Sequence, residues 1–229
     1  MHLGEQAASI GALADDTRRA LYAYVAAQPD PVGREQAAAA LGIAQHNVNF
    51  HLDRLVDEGL LEVEYRRLSG RTGPGAGRPS KLYRRSRREY AVSLPERRYD
   101  LAGGILAAAV ELAAGGVDLP EALRAAAHQE GRALGSAEPV RGEEDALAAT
   151  ARLLAAQGYE PHLADGVVSL TNCPFDALAQ KHTALVCGLN KDFVEGLAVG
   201  SGCAGVSASL EPEPDRCCVK VRAGDPPRG

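Results

Sequence analysis

Cysteine is absent from the first 172 of the 229 residues, and all five cysteines fall between Cys173 and Cys218. No apolar run approaches the roughly 20 residues that a membrane-spanning helix requires. The start, Met1 to Ala14, lacks a basic segment followed by an apolar core, so no secretory signal is read there. These absences predict a cytoplasmic protein without a membrane partner. In that compartment thiols stay reduced, and five is an odd number, which argues against a disulfide framework. Nor is there a Ser-His-Asp pattern, a phosphate loop or a His-Glu-x-x-His, so the expectation is a binding protein and not an enzyme.

One sign of charge is also missing locally. Between Arg66 and Arg88 there are nine basic residues and no acidic one. The chain carries a net charge of -5, yet its first 100 residues sum to about +2 and the rest to about -7, an asymmetry that points to a nucleic-acid partner for the first part. With 45% hydrophobic and 24% charged residues, the chain is ordinary for a folded protein long enough for two modest domains.

Asp15 is placed to cap a helix that Pro29 and Pro31 terminate, with Leu21 and Val25 at helical spacing. A second helix is predicted over 33–41, and after Gly42 a third runs from Ile43 to Leu55. Two helices joined by a short Gly-containing turn make a helix-turn-helix. On the third helix Val48, Leu52 and Leu55 must face the core. Gln45, His46, Asn47, Asn49, Phe50 and Arg54 then lie on or beside the opposite face, where amides and Arg can bond base edges and Phe can meet a thymine methyl. His51 points back toward the core.

Two short strands, over Glu62–Arg66 and Lys81–Arg84, flank a Gly-rich and Pro-rich stretch with Arg71 and Arg78. A basic hairpin after a helix-turn-helix is a wing. Arg78 in Gly77-Arg78-Pro79 could enter a narrow minor groove, while Arg71 and Lys81 hold the backbone. The strings Leu13-Ala14-Asp15-Asp16-Thr17-Arg18-Arg19 and Val48-Asn49-Phe50-His51-Leu52-Asp53-Arg54-Leu55-Val56-Asp57-Glu58-Gly59-Leu60-Leu61 resemble the winged-helix repressors of the ArsR and DeoR type. That resemblance implies a DNA-binding domain over residues 1–92.

Residues 93–140 read as linking helices, Tyr99 to Ala114 and about Pro120 to Leu134. The first is strongly apolar, and its Ala102-Gly103-Gly104 leaves room for a close neighbour, which suits a dimer helix in a protein that reads paired half-sites of an inverted repeat. A polar loop and a helix to Gln157 open a third segment, 141–222, with a hairpin turning at Asp165-Gly166, two helices over about 176–199, and strands expected from Cys203 and from Cys217. Residues 223–229 are left as a tail. The predicted class is α+β: a winged helix, dimerisation helices and a C-terminal α+β sensor domain.

The cysteine intervals are too long for a zinc knuckle and suit ligands on separate elements that converge. The order of domains, with Asn172-Cys173-Pro174-Phe175, Leu185-Val186-Cys187, Cys203 and Arg216-Cys217-Cys218-Val219, resembles the iron-sulfur-sensing SufR regulators over nearly the whole chain. The resemblance implies an iron-sulfur cluster, 4Fe-4S or 2Fe-2S, on Cys173, Cys187, Cys203 and one of Cys217 and Cys218, with His182 as a reserve ligand. Strand alternation selects Cys217 if the cluster is shielded and Cys218 if it sits at a wet seam. A zinc site or an organic effector in the same domain is the alternative.

Overall fold

The computed structural model of the chain describes residues 3–67, 79–140, 144–203, 205–213 and 216–224. They form two compact units, Met1–Val92 and Ser93–Gly229.

In the first unit the order is α1 (Leu3–Ala12), α2 (Asp16–Ala27), β1 (Val32–Gly33), α3 (Arg34–Leu41), α4 (Gln45–Asp57), β2 (Leu61–Arg66) and β3 (Ser80–Arg85). Asp15 accepts the Arg18 backbone N–H at 2.9 Å and so starts α2, as a short oxygen-bearing side chain does at a helix N-cap. Gly42 closes α3 in the left-handed conformation, which lets the chain turn at once into α4. Val48, Leu52 and Leu55 are fully buried against Leu21, Val25 and Val32. The third strand, β1, was not expected: it is only two residues long, but it pairs Val32 with Tyr83 and makes the sheet order β1-β3-β2. Helix α1 is also new, and Ser9 ties it down by donating to the Glu58 carbonyl at 2.9 Å. Arg71 and Arg78 lie outside the described residues.

The second unit contains α5 (Tyr99–Ala114), α6 (Leu119–Ala137), α7 (Ala146–Ala156), β4 (Pro161–Ala164), β5 (Val167–Leu170), α8 (Asp176–Lys181), α9 (Thr183–Ser201), β6 (Val206–Leu210) and β7 (Val219–Ala223). The four strands form an antiparallel sheet in the order β4-β5-β7-β6. Asp165 and Gly166, both at positive φ, make the tight turn between β4 and β5, matching the twist of a two-residue hairpin. Helices α5 and α6 share one core with the sheet and α9: Ile105, Ala109, Ala122 and Ala127 pack in a single cluster with Phe193, Leu197 and Val221. Strand β6 begins at Val206, so Cys203 does not open it. The left-handed cap at Gly202 turns the chain out of α9, and the Cys203 N–H still bonds the Ala198 carbonyl at 2.9 Å. Strand β7 begins at Val219, two residues after Cys217, whose N–H bonds the Leu170 carbonyl at 3.0 Å.

The closest packing in this unit is between α6 and α9, which run in the same direction. A Cβ on Gly131 or Gly135 would strike the α9 backbone at Phe193 or Leu197, and one on Gly196 or Gly200 would strike the α6 backbone at His128 or Arg132. Four glycines at spacing four thus bring two backbones into contact. At Gly103 and Gly104, by comparison, nothing of the same chain lies within 4 Å of an added Cβ. Gly131→Ala and Gly196→Ala should therefore each destabilise the second unit by about 1–3 kcal/mol or more through overpacking. Gly188→Ala, within α9 and with nothing within 4 Å of an added Cβ, should stabilise it by up to about 1 kcal/mol through helix propensity. Calorimetric unfolding of the three variants checks this, and equal shifts in all three would remove the glycine contact from the account.

Candidate functional site

The two groups of chemistry-bearing residues fall in different units. On α4, Gln45, His46, Asn47, Phe50 and Arg54 are exposed, and Phe50 stands out at 67%. Asn49 is half-buried, and its Oδ1 is buried without a hydrogen-bond partner among the described residues. Phe50 and His51 meet edge to face at 5.3 Å, and His51 is half-buried. Arg54 pairs with Glu58 one turn on, at 2.5 Å. Lys81, on β3, pairs with Asp53 of α4 at 2.5 Å. The buried Tyr83 donates its hydroxyl to the same Asp53 Oδ1 at 3.0 Å. Sequence reading missed Asp53 and Tyr83. Their signal is weak, a carboxylate on the exposed helix face and a tyrosine two residues past a lysine in a strand.

In the second unit four of the five thiols converge. Cys187 Sγ lies 2.9 Å from Cys218 Sγ, and Cys173 and Cys217 are close enough to shift one another's ionisation. They come from three places: the loop after β5, the first turns of α9 and the approach to β7. All are free thiols. The neighbouring Cys217 lowers the Cys173 thiol, with the Phe175 backbone N–H and the Arg97 guanidinium acting in the same sense and burial opposing them. Cys217 is raised by Cys173 and by burial. Burial, and then the Cys218 contact, push Cys187 up to about 12. Strand alternation places Cys217 inward with Val219 and Val221, leaving Cys218 half-buried.

Cys203 is elsewhere. It is buried in a separate small cluster with Ala149 and Ala198. His182 is exposed at the junction of α8 and α9.

Around the thiols lies a polar network that the sequence reading did not identify. Asn190, three residues after Cys187 on α9, donates Nδ2 to Cys217 Sγ at 3.3 Å and accepts from the Tyr159 hydroxyl. Tyr159 packs edge-on against Phe175 at 6.5 Å, and burial pushes its hydroxyl far up, so it stays protonated. Asn172 donates to the Gly158 carbonyl at 2.7 Å and to the Glu96 carbonyl at 3.2 Å. Its Oδ1 accepts from Arg97, which also donates to the Cys173 carbonyl at 3.0 Å. The loop that carries Cys173 is thereby stitched to residues 96–98, where the chain enters α5.

Four thiols on three elements, in an apolar core, form a donor set suited to soft metals or an iron-sulfur cluster. Among the described residues the thiols are paired with each other, and no three His, Cys, Asp or Glu side chains surround one point as metal ligands would. Ligation would have to part the pairs.

The first unit, four helices that include a helix-turn-helix and are closed by a three-stranded sheet, is a winged helix of the kind found in DNA-binding transcription regulators. Residues 13–64 match the family model described as a helix-turn-helix domain, which supports the winged-helix regulator class for this part of the chain. No curated protein and no solved structure matches the chain. No helix among the described residues is long and apolar enough to cross a membrane.

The thiol environments differ enough to be read by alkylation of metal-free protein. Cys173 should react with iodoacetamide with a midpoint below the ordinary thiol value of 9.0, and Cys187 should resist until the pH nears about 12, because the thiolate is the nucleophile. Folded Cys187 and Cys217 hold protons that the unfolded chain releases. Stability should therefore be fully present below the unfolded thiol value and fall as pH rises from about 9 toward 12. Peptide mapping and urea unfolding across that range check both, and uniform labelling of the four thiols would refute the arrangement.

Proposed function

We propose that this protein is a homodimeric DNA-binding repressor whose C-terminal unit holds an iron-sulfur cluster and whose operator affinity follows the state of that cluster. The observation that carries the reading is that Cys173, Cys187, Cys217 and Cys218 lie as two neighbouring thiol pairs in the second unit of a chain that also bears a winged helix. Those four residues are the proposed ligands; Cys203, in its own cluster, is left out, and His182 is not needed. When bound, the cluster supplies bonds that oxygen or iron loss can break. The chain's own residues do the rest: Asn190 and Tyr159 orient Cys217, and Asn172 and Arg97 fasten the Cys173 loop to the start of α5.

The exposed face of α5, formed by Gly103, Gly104, Ala107, Val110 and Ala114, is the proposed dimer seam, so that paired α4 helices meet an inverted repeat about one DNA turn, ~34 Å, apart. Asn47, Gln45 and Phe50 read bases, and the wing follows the backbone. Control of iron-sulfur assembly genes rests on the resemblance to the SufR regulators.

Protein purified without oxygen should absorb in the visible and contain iron and acid-labile sulfide. Cys173→Ser or Cys187→Ser should abolish this, whereas Cys203→Ser should not. Zinc without sulfide would turn the same thiols into a zinc site, and metal-free protein would remove the sensor reading. The cluster-bound form should bind operator more tightly than the cluster-free form by about 1–3 kcal/mol, with DNA reciprocally protecting the cluster. Titrations at one salt concentration test this, and equal affinities would refute it.

At the interface with DNA, Asn47→Ala should cost about 1–3 kcal/mol of discrimination at one base-pair position. Competition among single-substitution operators reads it. A loss uniform over all sequences would take base reading away from Asn47.

A further inference from the structure

Several basic residues of the first unit are paired with carboxylates. Arg66 pairs with Glu64 at 2.6 Å, Arg84 with Glu62 at 3.0 Å and Arg54 with Glu58 at 2.5 Å. These pairs stay within one strand, one hairpin or one helix. The pair of Lys81 with Asp53 is of another kind, because it crosses from β3 to α4, the helix whose exposed side chains face outward for base contact.

Three contacts hold that ammonium. Asp53 Oδ1 lies 2.5 Å from Lys81 Nζ. Tyr83, only 2% exposed and therefore fixed in the core, donates to the same oxygen at 3.0 Å and keeps the carboxylate in place. Lys81 Nζ also lies 5.2 Å from the centre of the Tyr83 ring, within the range of a cation–π contact. The hydrogen bond to Asp53 raises the Lys81 pKa, so the lysine stays charged but directed at a carboxylate. Asp53 itself is exposed, at helical spacing from the exposed His46 and Phe50 on the same face of α4.

We propose that Asp53 is a specificity-determining residue: it withholds Lys81 from DNA phosphates and places a negative charge beside them, so that duplex bound through charge alone is held less tightly than duplex bound through base contacts. This rests on the DNA-binding reading of the winged helix. Sequence-independent binding is governed by the number of phosphates neutralised, each adding about 0.9 to the slope of log affinity against log salt. A lysine engaged with a carboxylate does not add to that count. Removing the carboxylate frees it to do so, and it frees it equally for every sequence, which raises background binding without improving recognition.

The test uses the full chain, with fluorescence anisotropy on a labelled duplex of mixed sequence and on a duplex enriched from a randomised pool, each over a range of salt. Asp53→Asn should bind the mixed duplex more tightly, with a slope steeper by about 0.9, which is an additional ~3.5-fold loss between 50 and 200 mM salt. The ratio of enriched to mixed affinity should fall. Lys81→Met should leave the slope at the wild-type value, and the double variant should return the slope of Asp53→Asn to it. A Lys81→Met slope shallower by about 0.9 would mean that Lys81 already contacts phosphate, and it would overturn the proposal even if Asp53→Asn did not fold. An unchanged slope in folded Asp53→Asn would overturn it equally. Wild-type protein that binds neither duplex at low salt would overturn the DNA-binding reading, and the proposal with it.

Discussion

The second unit depends on the contact between α6 and α9. Where Gly131 and Gly135 meet Gly196 and Gly200, neither helix presents a Cβ, and each backbone packs on the other. Side chains that interlock across an ordinary helix pair can repack by changing rotamer; backbones in contact cannot. The register of α9 is therefore set along its second half. Its first half carries Cys187 and Asn190, and fixing one end of a straight helix fixes where those two side chains meet the approach to β7. The thiol geometry is thus a consequence of four missing side chains some distance from it.

A polar group in such a core is tolerated only when it is bonded. Asn190 satisfies this by lying between the Tyr159 hydroxyl and the Cys217 sulfur, and Asn172 does so by bonding two carbonyls and a guanidinium at once. Such networks specify a unique arrangement because shifting any one member leaves another unpaired. They also explain why adjacent cysteines differ: Cys217 is drawn inward by Asn190 and Cys173, while Cys218 turns to Cys187 at the edge. A soft, polarisable sulfur can serve as a small apolar core group or as a ligand, and the contact with Asn190 fixes where the Cys217 sulfur lies.

The winged unit was legible because its signals are local. Asp15 before a helical repeat, Gly42 between two helices and Val48, Leu52 and Leu55 at helical spacing each act within a few residues. The Asp165-Gly166 hairpin was legible for the same reason. What the sequence hid depends on partners far along the chain. Gly103-Gly104 and the α6–α9 glycines look alike as residues, and only the fold decides which pair meets a neighbour. Cys203 keeps a spacing that fits a shared site, yet the turn at Gly202 sends it to Ala149 and Ala198. Lys81 has the sequence appearance of a phosphate contact, and Asp53, 28 positions earlier, engages it. Strand β1 was too short to show any period at all.

The polypeptide passes from the first unit to the second at Val92 and Ser93. The segment that follows is held by few apolar contacts, since residues 91–96 are all exposed. Its position is instead set by hydrogen bonds: Arg97 to Asn172 and to the Cys173 carbonyl, the Glu96 carbonyl to Asn172, and the Arg98 N–H to the Pro174 carbonyl at 3.0 Å. Every one of those partners lies within two residues of Cys173. Hydrogen bonds are directional and short in range, so a movement of this loop too small to disturb an apolar core suffices to break them. The first residues of the second unit are therefore placed by the same loop that supplies a thiol, and displacement of that loop displaces the entry to α5 with it.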